Sequence, residues 1–228
     1  MHLMLPFLPS ARSPDREDVT LSPVTLGPLL RVGIYANYHR IAGQPNRTGK
    51  VAPAVRVKHY PLGLTVRYPM KLYTTCKFWI SDIIRHECIV RNQLPPGLAP
   101  YLLSNVSLAR TAEGQQVLCF DRVADFDGCP SRPLAALGPV ANRPFWDSVS
   151  QIVRVLRDHD SCLLGVFNSS GYSLLVQKLT PDRWQPVIAE LPKLGKRMYY
   201  YQLPVLFRGS PWPKFERGLR RFIARFRA

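Results

Sequence analysis

The stretch FDRVADFDGCPS, from Phe120 to Ser131, joins two parts of the chain that have different residue patterns. It begins with aromatic and β-branched residues, passes through the acids Asp121, Asp125 and Asp127, and stops at Gly, Pro and Ser. Gly and Pro favour turns, because Gly tolerates positive φ angles and Pro fixes φ. The pattern predicts a strand that leads into a connection between two lobes. We expect the three acids to fasten basic segments of both lobes there.

The sequence before this connection is typical of β-strands with one helix. VTLSPVTLGPLLRVGIYANYHRI, from Val19, and APAVRVKHY, from Ala52, are rich in strand-forming residues, and AGQPNRTGKV between them is a turn-forming stretch of small and polar residues. In KFWISDIIRHECIVRNQL, from Lys77, apolar residues recur at helical spacing until PPG ends the run. Two further strands lead up to the connection. We therefore predict antiparallel strands around one helix.

The sequence after the connection is mainly helical. FWDSVSQIVRVLRDHD has one apolar face, and Asp147 or Ser148 is the expected cap at its start. YSLLVQKL and WQPVIAEL are short apolar runs around TPDR and predict a hairpin, whereas FERGLRRFIARF predicts a last helix with an apolar stripe. Together with the strands upstream, these patterns predict an α+β fold.

Charge and cysteine content limit the partners and the compartment. The chain has 31 Lys and Arg residues against 15 Asp and Glu residues, a formal net charge of +16. Such a charge favours an anionic ligand, a nucleic acid or an anionic membrane surface as partner. Five cysteines without a C-x-x-C pair predict neither a disulfide framework nor a zinc ribbon, and they favour the cytoplasm. No stretch approaches the roughly 18 apolar residues that suggest a membrane span.

Three segments resemble one known family. RVADFDGCPS resembles the hinge of the YrbL family, kinase-like bacterial proteins associated with the PhoP regulatory network. IRHECIVRNQL, from Ile84 to Leu94, is similar to that family's helix, and FERGLRRFIARF is similar to its terminal helix. The resemblance runs from about Leu21 to Phe226. It implies a two-lobed protein-kinase-like fold with a small antiparallel-sheet N-lobe and a reduced, mainly helical C-lobe.

The resemblance also implies a division of the chain. It places an N-lobe with one helix and the hinge at residues 19–128 and the C-lobe at residues 129–228, whereas the proline-broken start of the sequence predicts a flexible arm at residues 1–18. No repeat divides the chain further. GQPNRTGKV has five residues between its glycines instead of four, and Val51 stands where a P-loop has Ser or Thr. The stretch is therefore a poor match to a P-loop.

The sequence leaves the cofactor unknown; a kinase-like fold implies ATP and Mg²⁺, here with weak or absent binding, and defines the positions that would hold them. Backbone amides cover the phosphates, and a Lys paired with a helix Glu holds them. Gly27 is the candidate for the phosphate loop, although TLGPLLRVGIY has no G-x-G-x-x-G. Arg56 and Lys58 share a strand face, with Arg56 at the family's lysine position, and Glu87 is the expected partner. Asp125 in the hinge completes the predicted cofactor-binding set.

The remaining kinase positions are less well matched. The carboxylate that holds the metal falls in PVIAEL, where Glu190 is the candidate metal ligand. In SCLLGVFNSSGYSLLV, the distance from the preceding helix places Gly165, Phe167 and Ser170 where an active kinase has Asp, Lys and Asn. Asn168 supplies the one amide nearby. We therefore predict no catalytic residue and a pseudokinase with a regulatory or binding role, acting on an unknown protein partner or anionic ligand.

Two alternatives stay open. One is an atypical ATP-dependent phosphotransferase that uses unusual residues. The other is a basic, non-enzymatic module that binds lipid or nucleic acid, because the last helix combines an apolar stripe with several arginines. The arginines concerned are Arg217, Arg220, Arg221 and Arg225.

Overall fold

The computed structural model describes residues 21–32, 36–59, 65–69, 83–161, 163, 165–191 and 212–228; at 56–59, 65, 66 and 68 the description covers the backbone alone. The predicted arm, residues 1–18, lies outside the described residues. The described part is an α+β fold of two lobes, which confirms the predicted architecture at this level. No helix in the described part is long and apolar enough to cross a membrane.

The N-terminal lobe is built on a six-stranded sheet with the strand order β1-β7-β8-β4-β3-β2, and β5 and β6 form a separate hairpin. All neighbouring strands are antiparallel except β1 and β7, which run parallel. The strands are β1 Ser22–Pro23, β2 Leu26–Val32, β3 Asn37–Ile41, β4 Gln44–Val51, β5 Val55–His59, β6 Thr65–Pro69, β7 Ser107–Arg110 and β8 Gln116–Asp121.

Strand β4 replaces most of the long turn that the small and polar residues of AGQPNRTGKV predict. The turn consists of residues 42 and 43 alone, with Gly43 at a φ of +73°, and β4 then runs between β3 and β8. A Cβ atom on Gly49 would lie 2.6 Å from Cδ1 of Ile41, so glycine lets that side chain pack across the strand. The prediction of a long turn was wrong, because packing in the middle of a sheet outweighs the low strand propensity of these residues.

Helix α1, Ile83–Asn92, connects the two lobes. Ile83 and Ile84 pack with Leu118 in the core of the N-terminal lobe, whereas Val90 belongs to the large core of the C-terminal lobe. A 3₁₀ helix follows at Pro96–Tyr101 and buries Leu98 completely in the same C-terminal core. The change from one core to the other therefore occurs within α1, between Ile84 and Val90, although the chain has not yet reached the hinge.

The C-terminal lobe packs helices against a three-stranded antiparallel sheet with the order β11-β10-β9. The predicted hairpin and last helix are both present. The elements are β9 Arg132–Pro133, α2 Leu134–Leu137, α3 Arg143–Asp158, β10 Leu174–Lys178, β11 Trp184–Ile188 and α4 Trp212–Phe226. The large core includes aromatic side chains from α3, α4 and the loop that precedes β10.

Helix α3 begins earlier than its apolar pattern indicates. Its cap is Asn142, whose side-chain oxygen accepts a hydrogen bond from the Phe145 backbone N–H at 3.1 Å. The predicted caps, Asp147 and Ser148, lie inside the helix. Pro144 explains the difference, because proline is tolerated in the first turn of a helix and does not mark its end there.

Two acids of the connection are bound to neutral groups, Asp121 to the segment before β7 and Asp127 within its own turn. Asp121 accepts hydrogen bonds from Ser104 Oγ at 3.3 Å and from Asn105 Nδ2. Asp127 accepts one from the Cys129 backbone N–H at 2.9 Å, which closes a turn. The described contacts of these two acids are therefore with neutral donors, and not with the basic segments of both lobes that we expected them to fasten. Short acidic side chains satisfy nearby backbone and amide donors, as they commonly do in turns.

Candidate functional site

Three side chains form a row across the N-terminal sheet. Arg31 on β2 stands opposite Tyr38 on β3, and Tyr38 stands opposite Lys50 on β4. Directly opposed residues of a sheet lie on the same face, so the three side chains are neighbours. The Arg31 guanidinium carbon lies 4.2 Å from the centre of the Tyr38 ring, and Lys50 Nζ lies 5.5 Å from it. Both distances are within the range of a cation–π interaction.

Lys50 is held by groups from both lobes. Its side chain is only 2% exposed, and its Nζ donates hydrogen bonds to Glu87 Oε2 on α1 and, at 3.1 Å, to the carbonyl oxygen of Ala189 after β11. Arg91, one helical turn beyond Glu87, donates to Oε1 of the same carboxylate at 3.0 Å. Both oxygens of Glu87 are therefore paired with cations.

The protonation state of Glu87 follows from these contacts. Burial by itself raises the pKa of Glu87, but the charges of Lys50 and Arg91 and their hydrogen bonds outweigh burial and bring the pKa below its ordinary value. Glu87 is therefore ionised at neutral pH. The neighbouring His86 has a lowered pKa, because burial disfavours its charged form more than Glu87 favours it.

Glu190 completes the site from the C-terminal lobe. It follows β11 and is 2% exposed. Its Oε1 accepts a hydrogen bond from the Tyr38 hydroxyl at 3.0 Å and lies 3.5 Å from Arg31 Nη2, whereas Oε2 has no hydrogen-bond partner in the described part of the chain. Burial, and next the charge of Glu190, raises the pKa of Tyr38 well above its ordinary value. Tyr38 is therefore a neutral donor.

The structure brings together two of the residues that the sequence singles out. Glu87 lies beside Lys50, and Glu190 lies beside the strand neighbours of Lys50. Glu190 is buried. The cations paired with Glu87 among the described side chains are Lys50 and Arg91, and the predicted pairing with Arg56 or Lys58 stays a prediction. Those two lie on β5, which pairs with β6 in a separate sheet, and their side chains are outside the described part.

The other two predicted cofactor-binding residues, Gly27 and Asp125, make contacts with neighbouring strands and loops. The carbonyl of Gly27 lies 3.1 Å from His39 Nδ1, and Gly27 is about 13 Å along β2 from Arg31. Asp125 Oδ1 accepts hydrogen bonds from Ser131 Oγ at 2.6 Å and from the Lys178 backbone N–H at 3.0 Å. Asp125 therefore ties the hinge to the end of β10. Its role with a cofactor stays a prediction.

The loop before β10 is closed on itself. Asn168 Oδ1 accepts hydrogen bonds from the backbone N–H groups of Ser170 at 2.8 Å and Gly171 at 3.3 Å, and its Nδ2 donates to the carbonyl of Gly165. Phe167 is buried against two phenylalanine rings of α4. Residues 165–173 include no Asp, Glu, Lys or His. The loop therefore contributes a turn and core packing, and no side chain that titrates near neutral pH.

Helix α4 has its apolar stripe in the core of its own lobe. Phe215, Phe222 and Phe226 are at most 3% exposed. The opposite face of α4 is in solvent and includes the four arginines that the sequence analysis singles out. The stripe is therefore already covered by the protein.

No protein-family model and no curated protein matches this sequence. Among solved structures, the chain is similar to the Rio2 kinase of Chaetomium thermophilum in its ADP/Mg²⁺-phosphoaspartate complex, with 13% identity and a TM-score of 0.46. The match covers 90% of this chain and 55% of that one, so this chain spans about half the length of the kinase chain.

Proposed function

We propose that the chain has a protein-kinase-like fold whose cleft binds a nucleoside phosphate without transferring its phosphoryl group. The buried Lys50–Glu87 pair, with Glu190 next to it, carries this proposal. In protein kinases a strand Lys pairs with a helix Glu and holds the phosphates, and a carboxylate farther along the chain holds the metal. Here a strand, a helix and the end of a later hairpin supply the corresponding residue types in the same chain order.

The loop before β10 supports the loss of phosphotransfer. An active kinase positions its acceptor with an Asp and a metal with an Asn in this part of the chain. The side chain of Asn168 is engaged within the loop, and residues 165–173 offer no acid and no base. The function that fits is binding, with a regulatory role through a protein partner, as the YrbL resemblance implies.

Thermal unfolding with added nucleotide tests the binding step. A ligand that binds only the folded protein stabilises it by about 2.7 kcal/mol at 100 times its Kd. We expect ATP and ADP to raise the melting temperature of the wild type, and we expect this shift to be lost in Lys50→Met. Arg110→Met, at an exposed position on β7, removes the same charge and should keep the shift. No shift with any nucleotide would contradict the proposal.

Turnover of labelled ATP tests the absence of phosphotransfer. We expect the purified wild type to release or transfer no more phosphate than a blank without protein, because the loop supplies neither a base nor a metal ligand. Turnover that both Lys50→Met and Glu190→Ala abolish would overturn this part and favour the atypical phosphotransferase.

A second candidate function is binding of an anionic polymer. The four exposed arginines of α4 and the net charge of +16 favour it. Two results with single-stranded RNA would support it. Binding should weaken steeply as the salt concentration rises, and it should weaken further when four arginines are changed to Gln: Arg217, Arg220, Arg221 and Arg225.

A further inference from the structure

Among the described residues, Arg31 forms the ion pair with the carboxylate of Glu190. Glu190 is 2% exposed, and a buried carboxylate needs compensation by a cation or by hydrogen bonds. Arg31 Nη2, at 3.5 Å from Oε1, and the Tyr38 hydroxyl, at 3.0 Å, provide it. The positive charge that compensates Glu190 therefore comes from β2 of the N-terminal lobe, whereas Glu190 itself belongs to the C-terminal lobe.

Arg31 is held in this position by its neighbours in the sheet. It stands opposite Tyr38 in the β2–β3 ladder, and its guanidinium lies on the Tyr38 ring at 4.2 Å. Its Nε is buried and has no hydrogen-bond partner among the described residues, but the side chain as a whole is 21% exposed, so other atoms of it reach solvent. A guanidinium has five N–H donors in a planar fork, and it recognises phosphate with two of them at once. Arg31 thus has donor capacity left for a ligand at the edge of the site.

The residues present do not fit a divalent cation. Mg²⁺ requires nearly ideal octahedral oxygen coordination, usually with one or two carboxylates and phosphate oxygens. Glu190 offers one unpaired oxygen, Glu87 is bound by two cations, and no group of three or more His, Cys, Asp and Glu that suits a metal occurs in the described ranges. The charge of Arg31 beside Glu190 also opposes the approach of a second cation.

We infer that Arg31 takes the place of a divalent cation in this cleft and contacts the phosphates directly, so that nucleoside phosphates bind without Mg²⁺. This inference rests on the proposed nucleotide binding. Arg31 balances the charge of Glu190 in the free protein, and it offers its remaining donors to the phosphates in the complex.

Calorimetric titration of the full chain with ATP, ADP and adenosine, each in EDTA and in Mg²⁺, tests the inference. We expect the wild type to bind ATP and ADP in EDTA with the affinity that it shows in Mg²⁺. Arg31→Met keeps an unbranched apolar side chain on the Tyr38 ring but loses the charged fork. It should weaken ATP binding in EDTA by about tenfold or more, because hydrogen bonds to charged groups are among the stronger ones. Adenosine binding should be the same in both proteins.

Two controls make the result specific to Arg31. Arg110→Met removes a charge from an exposed position of the same sheet and should bind as the wild type does. Arg31→Lys keeps the charge without the fork and should fall between the wild type and Arg31→Met.

The possible outcomes separate this inference from the proposed function. ATP binding that requires Mg²⁺ would overturn the role of Arg31 and leave nucleotide binding in place. Unchanged metal-free binding in Arg31→Met would overturn it as well. Absence of nucleotide binding in both EDTA and Mg²⁺ would overturn both proposals.

Discussion

At the residue scale, the stability of the site depends on how the buried charges are paired. Lys50 and Glu87 are 2% and 5% exposed at their side chains. Removing one member of a buried ion pair leaves the other without compensation, and this costs several kcal/mol. The surface pair of Arg143 and Asp147, with side chains 91% and 71% exposed, is the natural comparison. Exposed pairs of this kind contribute little, because water and salt screen them.

We therefore expect Lys50→Met and Glu87→Ala each to lower the free energy of unfolding by about 3 kcal/mol. Urea denaturation monitored by circular dichroism measures this. Asp147→Ala is the control and should change the value by less than about 1 kcal/mol. If all three substitutions changed the free energy of unfolding by the same small amount, the prediction would be wrong. Lys50 and Glu87 would then each be compensated by solvent when the partner is removed.

Acid should weaken the fold through Glu87. Its folded pKa is lower than the ordinary value of 4.5, so its ionised form stabilises the fold above about pH 4.5, and this contribution is lost as the pH falls through the lower folded pKa. We expect the difference in unfolding free energy between the wild type and Glu87→Gln to be constant above that pH and to shrink below it. Urea denaturation from neutral pH to about pH 3 measures the difference. A constant difference throughout would contradict the prediction.

At the element scale, the start of α3 ties two parts of the C-terminal lobe together. Asn142 Oδ1 accepts from the backbone N–H groups of Phe145 and Trp184, and Nδ2 donates to the carbonyl of Asp182 at 2.8 Å. One side chain therefore caps the helix and holds the β10–β11 turn. Ser148, in contrast, bonds to the carbonyl of Pro144 within the helix.

We expect Asn142→Ala to lower the free energy of unfolding by about 1–2 kcal/mol, the upper range for loss of a cap. Asn142→Asp keeps the acceptor for both N–H groups and should recover most of the loss. Ser148→Ala should have little effect, because its hydroxyl returns to a carbonyl that the helix already satisfies. Thermal unfolding of the three variants ranks them, and a larger effect of Ser148→Ala would restore Ser148 as the important residue at this helix start.

At the scale of the whole molecule, α4 connects the loop before β10 to α3. Phe222 is fully buried, with its ring centre 5.3 Å from that of Phe167 and 5.8 Å from that of Trp146. A helix so packed is part of the core. Its apolar stripe is therefore not free to enter a lipid surface while the lobe is folded.

We expect Phe222→Ala to destabilise the protein by about 3–5 kcal/mol, as is usual for a buried Phe. Phe126→Ala is the control, because Phe126 is 54% exposed and should matter much less. Thermal unfolding followed by tryptophan fluorescence measures both. A melting temperature unchanged by Phe222→Ala would mean that α4 leaves the lobe easily, and this would favour the lipid-binding alternative.

The sequence by itself determined the elements whose patterns are local. The 3.6-residue period of α3 and α4 and the paired apolar runs of the β10–β11 hairpin predict those elements correctly, because one buried face dictates the spacing of apolar residues along the chain. The lack of acids and bases in residues 165–173 is likewise visible in the sequence. Glu87 was identified through the resemblance of its helix to that of the YrbL family, and Glu190 because it is the only carboxylate of PVIAEL, where that resemblance places the metal ligand.

Only the tertiary structure decided which cation faces those carboxylates. Lys50 lies in a stretch of small and polar residues, and its place in a central strand depends on neighbours from β3 and β8 that are distant in the sequence. The row of Arg31, Tyr38 and Lys50 exists because the register of three strands places them opposite one another. Register is set by pairing between strands and by the packing of their faces. No local pattern along one strand contains that information.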